Sequence, residues 1–157
     1  MEKLAANPIV QYITVAASPP EKEDDRARSF HRNNTIDADY SAGRHYDGTG
    51  VTIAIGDDGE VGPHIDFEGR LDQSNAGANG GTHGDMTVGI SMGAGNLDPI
   101  IRGMATGADM LYYDIGGYPH VNDAPVTAAT NGVRVTSSSY SEGCNAGYTS
   151  TSNEVDM

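Results

Sequence analysis

The run "VTIAI", residues 51–55, is unbroken in apolar and β-branched side chains and stops abruptly at Gly56, Asp57, Asp58 and Gly59. A run with no polar face suits a central strand buried on both sides, the kind found in parallel sheets covered by helices. Two further runs read as buried strands of the same sheet: "ADMLYYDI" (108–115), whose Tyr112 and Tyr113 read as core, and "GVRVTSSS" (132–139). A helix is expected after His83, carrying Met86, Ile90 and the small residues Gly89 and Gly93. Another is expected in "DAPVTAATNG" (123–132), with a Pro near its start, alanines inside and Gly132 as a stop. Strand, helix, strand, helix, strand predicts an α/β fold, a parallel sheet with flanking crossover helices. In open sheets of this class functional residues gather at the carboxyl ends of strands. Asp57 stands at such an end.

The supply of core residues is thin. The 157 residues are 37% hydrophobic, with no Trp and two Phe against 21 Gly, which is a loop-rich composition or an incomplete domain. The net charge of −13 repels phosphate backbones and anionic lipid, which argues against nucleic acid and membrane surfaces as partners. No stretch approaches the roughly 18 to 20 apolar residues of a spanning helix. "MEKLAANPIVQYITVAAS" lacks the continuous apolar core of a signal peptide, so the chain is either cytosolic or has lost an export signal. Cys144 is the single cysteine, which rules out an internal disulfide and a cysteine-rich zinc site. At the front, "NPIVQYITVAA" (7–17) reads as a short strand. "SPPEKEDDRARS" (18–29), with two prolines and a dense mixed charge run, reads as an exposed linker and a boundary.

Asp57 and His83 are the residue types, in the right order and place, for acid–base work. A buried carboxylate can hold an imidazole in one tautomer and stabilise the imidazolium formed when the ring takes a proton from a serine hydroxyl. The plain alternative for Asp57 and Asp58 is an Asp-Asp-Gly turn leaving a strand, and for His83 a helix-start residue with no proton work. A divalent-metal hydrolase is another reading, since His64, Asp66, His83, Asp85, Asp57 and Asp58 are dense in possible ligands. Their spacing matches no defined metal motif, so no metal site is assigned. His31, His45 and His120 lie in polar or turn-like surroundings and read as solvated.

Five blocks in order resemble the subtilisin-like serine proteases, the subtilases. "GTGVTIAIGDDG" (48–59) resembles that family's strand and Asp-Thr-Gly or Asp-Ser-Gly turn, and "PHIDFEGR" (63–70) its His-Pro-Asp-Leu segment. "GTHGDMTVGI" (81–90) resembles the motif His-Gly-Thr-x-Val-Ala-Gly, "GMATGADMLYYD" (103–114) the Gly-Val-Ala-Pro-x-Ala-x-Leu strand, and "GVRVTSSSYSEG" (132–143) the substrate-lining strand. The resemblance implies a serine-type endopeptidase with Asp57 as triad aspartate and His83 as general base. Ser139, Tyr140 and Ser141 would line the cleft and pair with an extended polypeptide substrate as an added strand.

The family's nucleophile lies downstream in a Gly-Thr-Ser-x-x-x-Pro motif, and its oxyanion asparagine in a separate loop; neither occurs in these residues. "GYTSTSNE" (147–154) lacks the Gly directly before its Thr-Ser pair and the following Pro. The resemblance therefore implies a propeptide remnant (1–17), a charged linker (18–29) and the amino-terminal half of a catalytic domain (30–157). The complete protein would be secreted and would meet its own propeptide as a partner. It would use no cofactor, although the family often binds calcium. The 157 residues alone are expected to be inactive and poorly folded, with an exposed sheet edge after residue 139. An inactive, truncated peptide-binding module is the alternative. Three positions depart from the family pattern: Asp58 replaces Thr or Ser, Asp85 replaces Thr, and Thr106 replaces Pro. The first two are expected to crowd the imidazole with negative charge and raise its pKa.

Overall fold

The computed structural model describes residues 24–77, 81–114, 132–140, 147–150 and 152–153. The expected strand at 7–17 and the expected helix at 123–132 lie outside them, apart from Gly132.

The apolar run before Asp57 forms strand β1 (Thr52–Asp57). Its successive side chains enter two different cores, as the pleat of a strand requires. Ile55 joins Val61, Phe67, Val88, Met92, Met110 and Tyr112 on one face. Ala54 joins Leu111, Tyr113 and Val133 on the other. β1 is therefore the covered strand that its composition predicts.

Strand β2 (Leu71–Asn75), β3 (Asp109–Asp114) and β4 (Val133–Ser138) complete a sheet of order β2-β3-β1-β4. Every neighbouring pair is parallel, as expected for the α/β class. β3 runs beside β1 from Thr52↔Asp109 to Asp57↔Asp114, so two buried aspartates end the two strands side by side. β4 flanks β1 on the other side, but the expectation that its run is buried needs correction: only Val133 is, because Arg134, Thr136, Ser137 and Ser138 make the rest of the strand largely polar and exposed. β2 was not expected from the sequence. Its alternating burial shows why: "LDQSN" offers one face to the core and carries polar residues on both.

The helix expected after His83 is α3 (His83–Met92). Gly84, Val88 and Met92 recur at every fourth position and are buried, which turns one stripe of the helix to the sheet. Arg70 secures the far end of α3, donating to Met92 O (2.9 Å), to Ala108 O (2.8 Å) and to Asp66 O.

The reading of 18–29 as an exposed linker needs correction over its second part. Residues Asp24–Phe30 form helix α1, followed by the single turn α2 (Asn33–Ile36). Arg28 is buried, paired with Asp37 and donating to Gly103 O and Met104 O. A charged side chain packs when its donors are matched, and two of those partners, Gly103 and Met104, lie 75 and 76 positions away in the sequence.

Candidate active site

Asp57 is the last residue of β1, on the same face as Ile55, and is 1% exposed. Parallel pairing brings the start of α3 over that strand end. His83 there directs Nδ1 to Asp57 Oδ1 at 2.7 Å. The Asp58 N–H also donates to Asp57 Oδ1 (2.7 Å), so one oxygen of the buried carboxylate holds two donors. Oδ2 is buried without a hydrogen-bond partner among the described residues. The imidazole itself is about half exposed.

Asp58 does the structural work at this junction. The N-cap residue Thr82 offers no side-chain cap to α3. Asp58 Oδ1 accepts the Gly84 N–H (2.9 Å) instead, satisfying a donor of the first helical turn from the end of a strand. Its backbone oxygen accepts from the Tyr112 hydroxyl (2.8 Å). Burial, reinforced by the charges of Asp57 and Asp58, pushes the Tyr112 pKa well above its ordinary value, so this phenol remains a neutral donor. Gly59 next in line has φ +71°, and a Cβ there would sit 2.6 Å from Gly81 N, so only glycine suits the turn.

The pKa of His83 is raised above 6.5. The hydrogen bond to Asp57 is the main cause, followed by the Asp57 charge; burial opposes the shift, and Asp58 adds to it. Of the two extra carboxylates expected to crowd the ring, Asp58 acts on it. Asp85 is engaged elsewhere, accepting the Gly62 N–H at 2.7 Å.

The dense set of possible metal ligands separates in space. His64 Nδ1 accepts the Asp66 N–H (3.2 Å), while Asp66 Oδ1 accepts from Asn96 N (2.7 Å) and Leu97 N (3.3 Å). These residues organise a loop. Asp57, Asp58 and His83 stay together, with one possible ligand atom from each within 4.8 Å of the others. A cleft of about 680 Å³ lined by Arg28, Phe67, Met86, Ile90, Ile101 and Met104 includes neither Asp57 nor His83.

Ser139 and Tyr140 follow β4 directly. Because Gly56 pairs with Ser138, they emerge at the same sheet edge as Asp57, Ser139 exposed and Tyr140 half-buried. Ser141 lies outside the described residues. Near the end of the chain, Ser152 Oγ is engaged with Thr149 Oγ1 at 3.2 Å. Among the described residues no serine hydroxyl is hydrogen-bonded to His83. His31 and His45 are exposed as expected, His45 lying 3.3 Å from Asp39.

Sequence reasoning did not assign the Asp58 cap or the Tyr112 clamp. Each joins residues 26 or 54 positions apart, and no local pattern signals it. A sequence model of the subtilase family matches residues 48–157, a span that takes in Asp57, His83 and β1 to β4. No curated protein matches the chain.

Proposed function

Since the chain belongs to the subtilase family, we propose that Asp57 and His83 are the orienting acid and general base of a serine peptidase that hydrolyses peptide bonds in extended polypeptides. The observation that carries this reading is the 2.7 Å bond from His83 to a buried carboxylate at the end of a parallel strand. With Nδ1–H held by Asp57, the Nε2 lone pair is free to take the proton of a serine hydroxyl as it attacks a carbonyl. The imidazolium so formed is stabilised by Asp57 and returns its proton to the leaving amine, and water then repeats the cycle on the acyl-enzyme. A positioned base of this kind contributes about 10² to 10⁴ in rate.

Ser139 and Tyr140 belong to the same proposal as walls of the cleft, along which substrate backbone would add to the sheet. The 157 residues contain no Gly-Thr-Ser-x-x-x-Pro run, so by themselves they are proposed to be inactive. An extracellular location is proposed with the family. Among the described residues no helix is long and apolar enough to cross a membrane.

Sequencing the transcript past codon 157 and expressing the frame that follows tests this reading. A product that carries the missing motif and cleaves casein, with cleavage lost in His83→Ala, supports it. A product that cleaves equally well after His83→Ala refutes it. The exposure of β4 favours a second reading, a module that binds extended peptides without cutting them. Saturable peptide binding with no turnover, abolished by blocking β4, would mark that outcome.

A further inference from the structure

The junction that positions His83 also gathers donors suited to a metal ion. Asp57, Asp58 and His83 each bring one ligand-capable atom into a volume where all three lie within 4.8 Å of one another. One imidazole nitrogen and two carboxylate oxygens suit zinc or copper(II), whereas calcium and magnesium favour shells of oxygen alone. A second observation points the same way. Asp57 Oδ2 is buried without a hydrogen-bond partner among the described residues, on a side chain 2% exposed. An acceptor left bare in this way costs free energy that a neighbouring cation recovers. The site is open on one side, since the His83 side chain is 45% exposed. Asp58 keeps lone pairs beyond the one that the Gly84 N–H takes. The chain's charge of −13 also draws cations to its surface.

We propose that Asp57, Asp58 and His83 form a site for a divalent transition ion of the zinc class, with water completing its shell. The ring binds through Nδ1, the nitrogen that faces Asp57, as the tautomer protonated on Nε2. A ring protonated on both nitrogens must first release one proton to solvent. No covalent bond of the protein changes. The binding claim stands apart from the peptidase reading. Its consequence rests on that reading: a ring metallated on Nδ1 and protonated on Nε2 has no lone pair for a serine proton, so the ion is a reversible inhibitor.

Calorimetric titration of the metal-free 157-residue chain with zinc chloride, together with NMR of its histidine rings, tests the site. One equivalent is expected to bind, moving the His83 ring signals and leaving those of His31, His45, His64 and His120 in place. Calcium chloride at the same concentration is expected to leave His83 unmoved. Asp58→Asn keeps an oxygen for the Gly84 N–H but loses the charge of a direct ligand, and is expected to weaken zinc by at least about 10-fold, the loss typical even of a residue that only supports a ligand. His83→Gln is expected to abolish the site. Zinc that leaves the His83 signals unmoved overturns the proposal, as does affinity unchanged in both variants. The ring signals are read on the unaltered chain, so they decide the matter even where a variant fails to fold. Failure of the casein assay would leave this result untouched.

Discussion

His83 is held in place by residues that have no part in the proposed proton transfer. Gly84 is the clearest case, because a Cβ there would run into the Tyr112 hydroxyl and the Asp58 carbonyl oxygen. Helix propensity alone favours alanine over glycine inside α3 by about 0.8–1.0 kcal/mol. Overpacking typically costs about 1–3 kcal/mol, and here one of the obstructing atoms is backbone, so the clash wins. Gly84→Ala is therefore expected to lower stability in urea unfolding by about 1–2 kcal/mol. Equal or greater stability would show that the junction is looser than described. Asp57 and His83 are legible in the sequence through the order of five subtilase-like blocks, since an Asp-Asp-Gly turn after an apolar run and a histidine opening a helix are by themselves ordinary structure. The separate roles of Asp58 and Asp85 are not. Their carboxylates choose backbone N–H groups 26 and 23 positions away, and only folding decides which.

Among the elements, β1 and β3 follow from their patterns because their apolar runs have nowhere to go but a core, whereas β4 buries only Val133 and α3 leaves Met86 and Ile90 exposed. β2 and α1 do not follow. Among the described residues β2 is a polar edge strand that pairs only with β3, and α1 looks like a solvated charge run until its long-range partners are known. α1 is tied to the rest of the chain through Arg28 and Asp37, whose side chains are 4% and 3% exposed. Removing one member of a buried ion pair leaves an uncompensated charge and typically costs about 3–5 kcal/mol. Arg28→Ala is expected near the lower end of that range, since Arg102 stays within 3.7 Å of Asp37. Replacing Arg28 and Asp37 together by Met and Leu is expected to cost less than the sum of the single replacements, because no charge is then stranded. Additive losses in a chemical-denaturation cycle would argue against a coupled pair.

At the scale of the whole molecule, parallel pairing sends the carboxyl ends of β1, β3 and β4 to one edge. That edge carries Asp57, Asp114 and the segment beginning at Ser139. The sheet's chemistry is thus concentrated where α3 begins, and the family match over residues 48–157 covers all of it. The Gly-Thr-Ser-x-x-x-Pro run that carries the family's nucleophile does not occur in the 157 residues. The central claim is that Asp57 and His83 act as one unit, and the most direct test is an NMR pH titration of the His83 ring in the metal-free chain and in Asp57→Asn. The midpoint is expected above the ordinary 6.5, because the hydrogen bond and charge of Asp57 favour the protonated ring. It should fall in Asp57→Asn, where the negative partner is gone, and fall less in Asp58→Asn. A midpoint at or below 6.5 that Asp57→Asn leaves unmoved would contradict the claim.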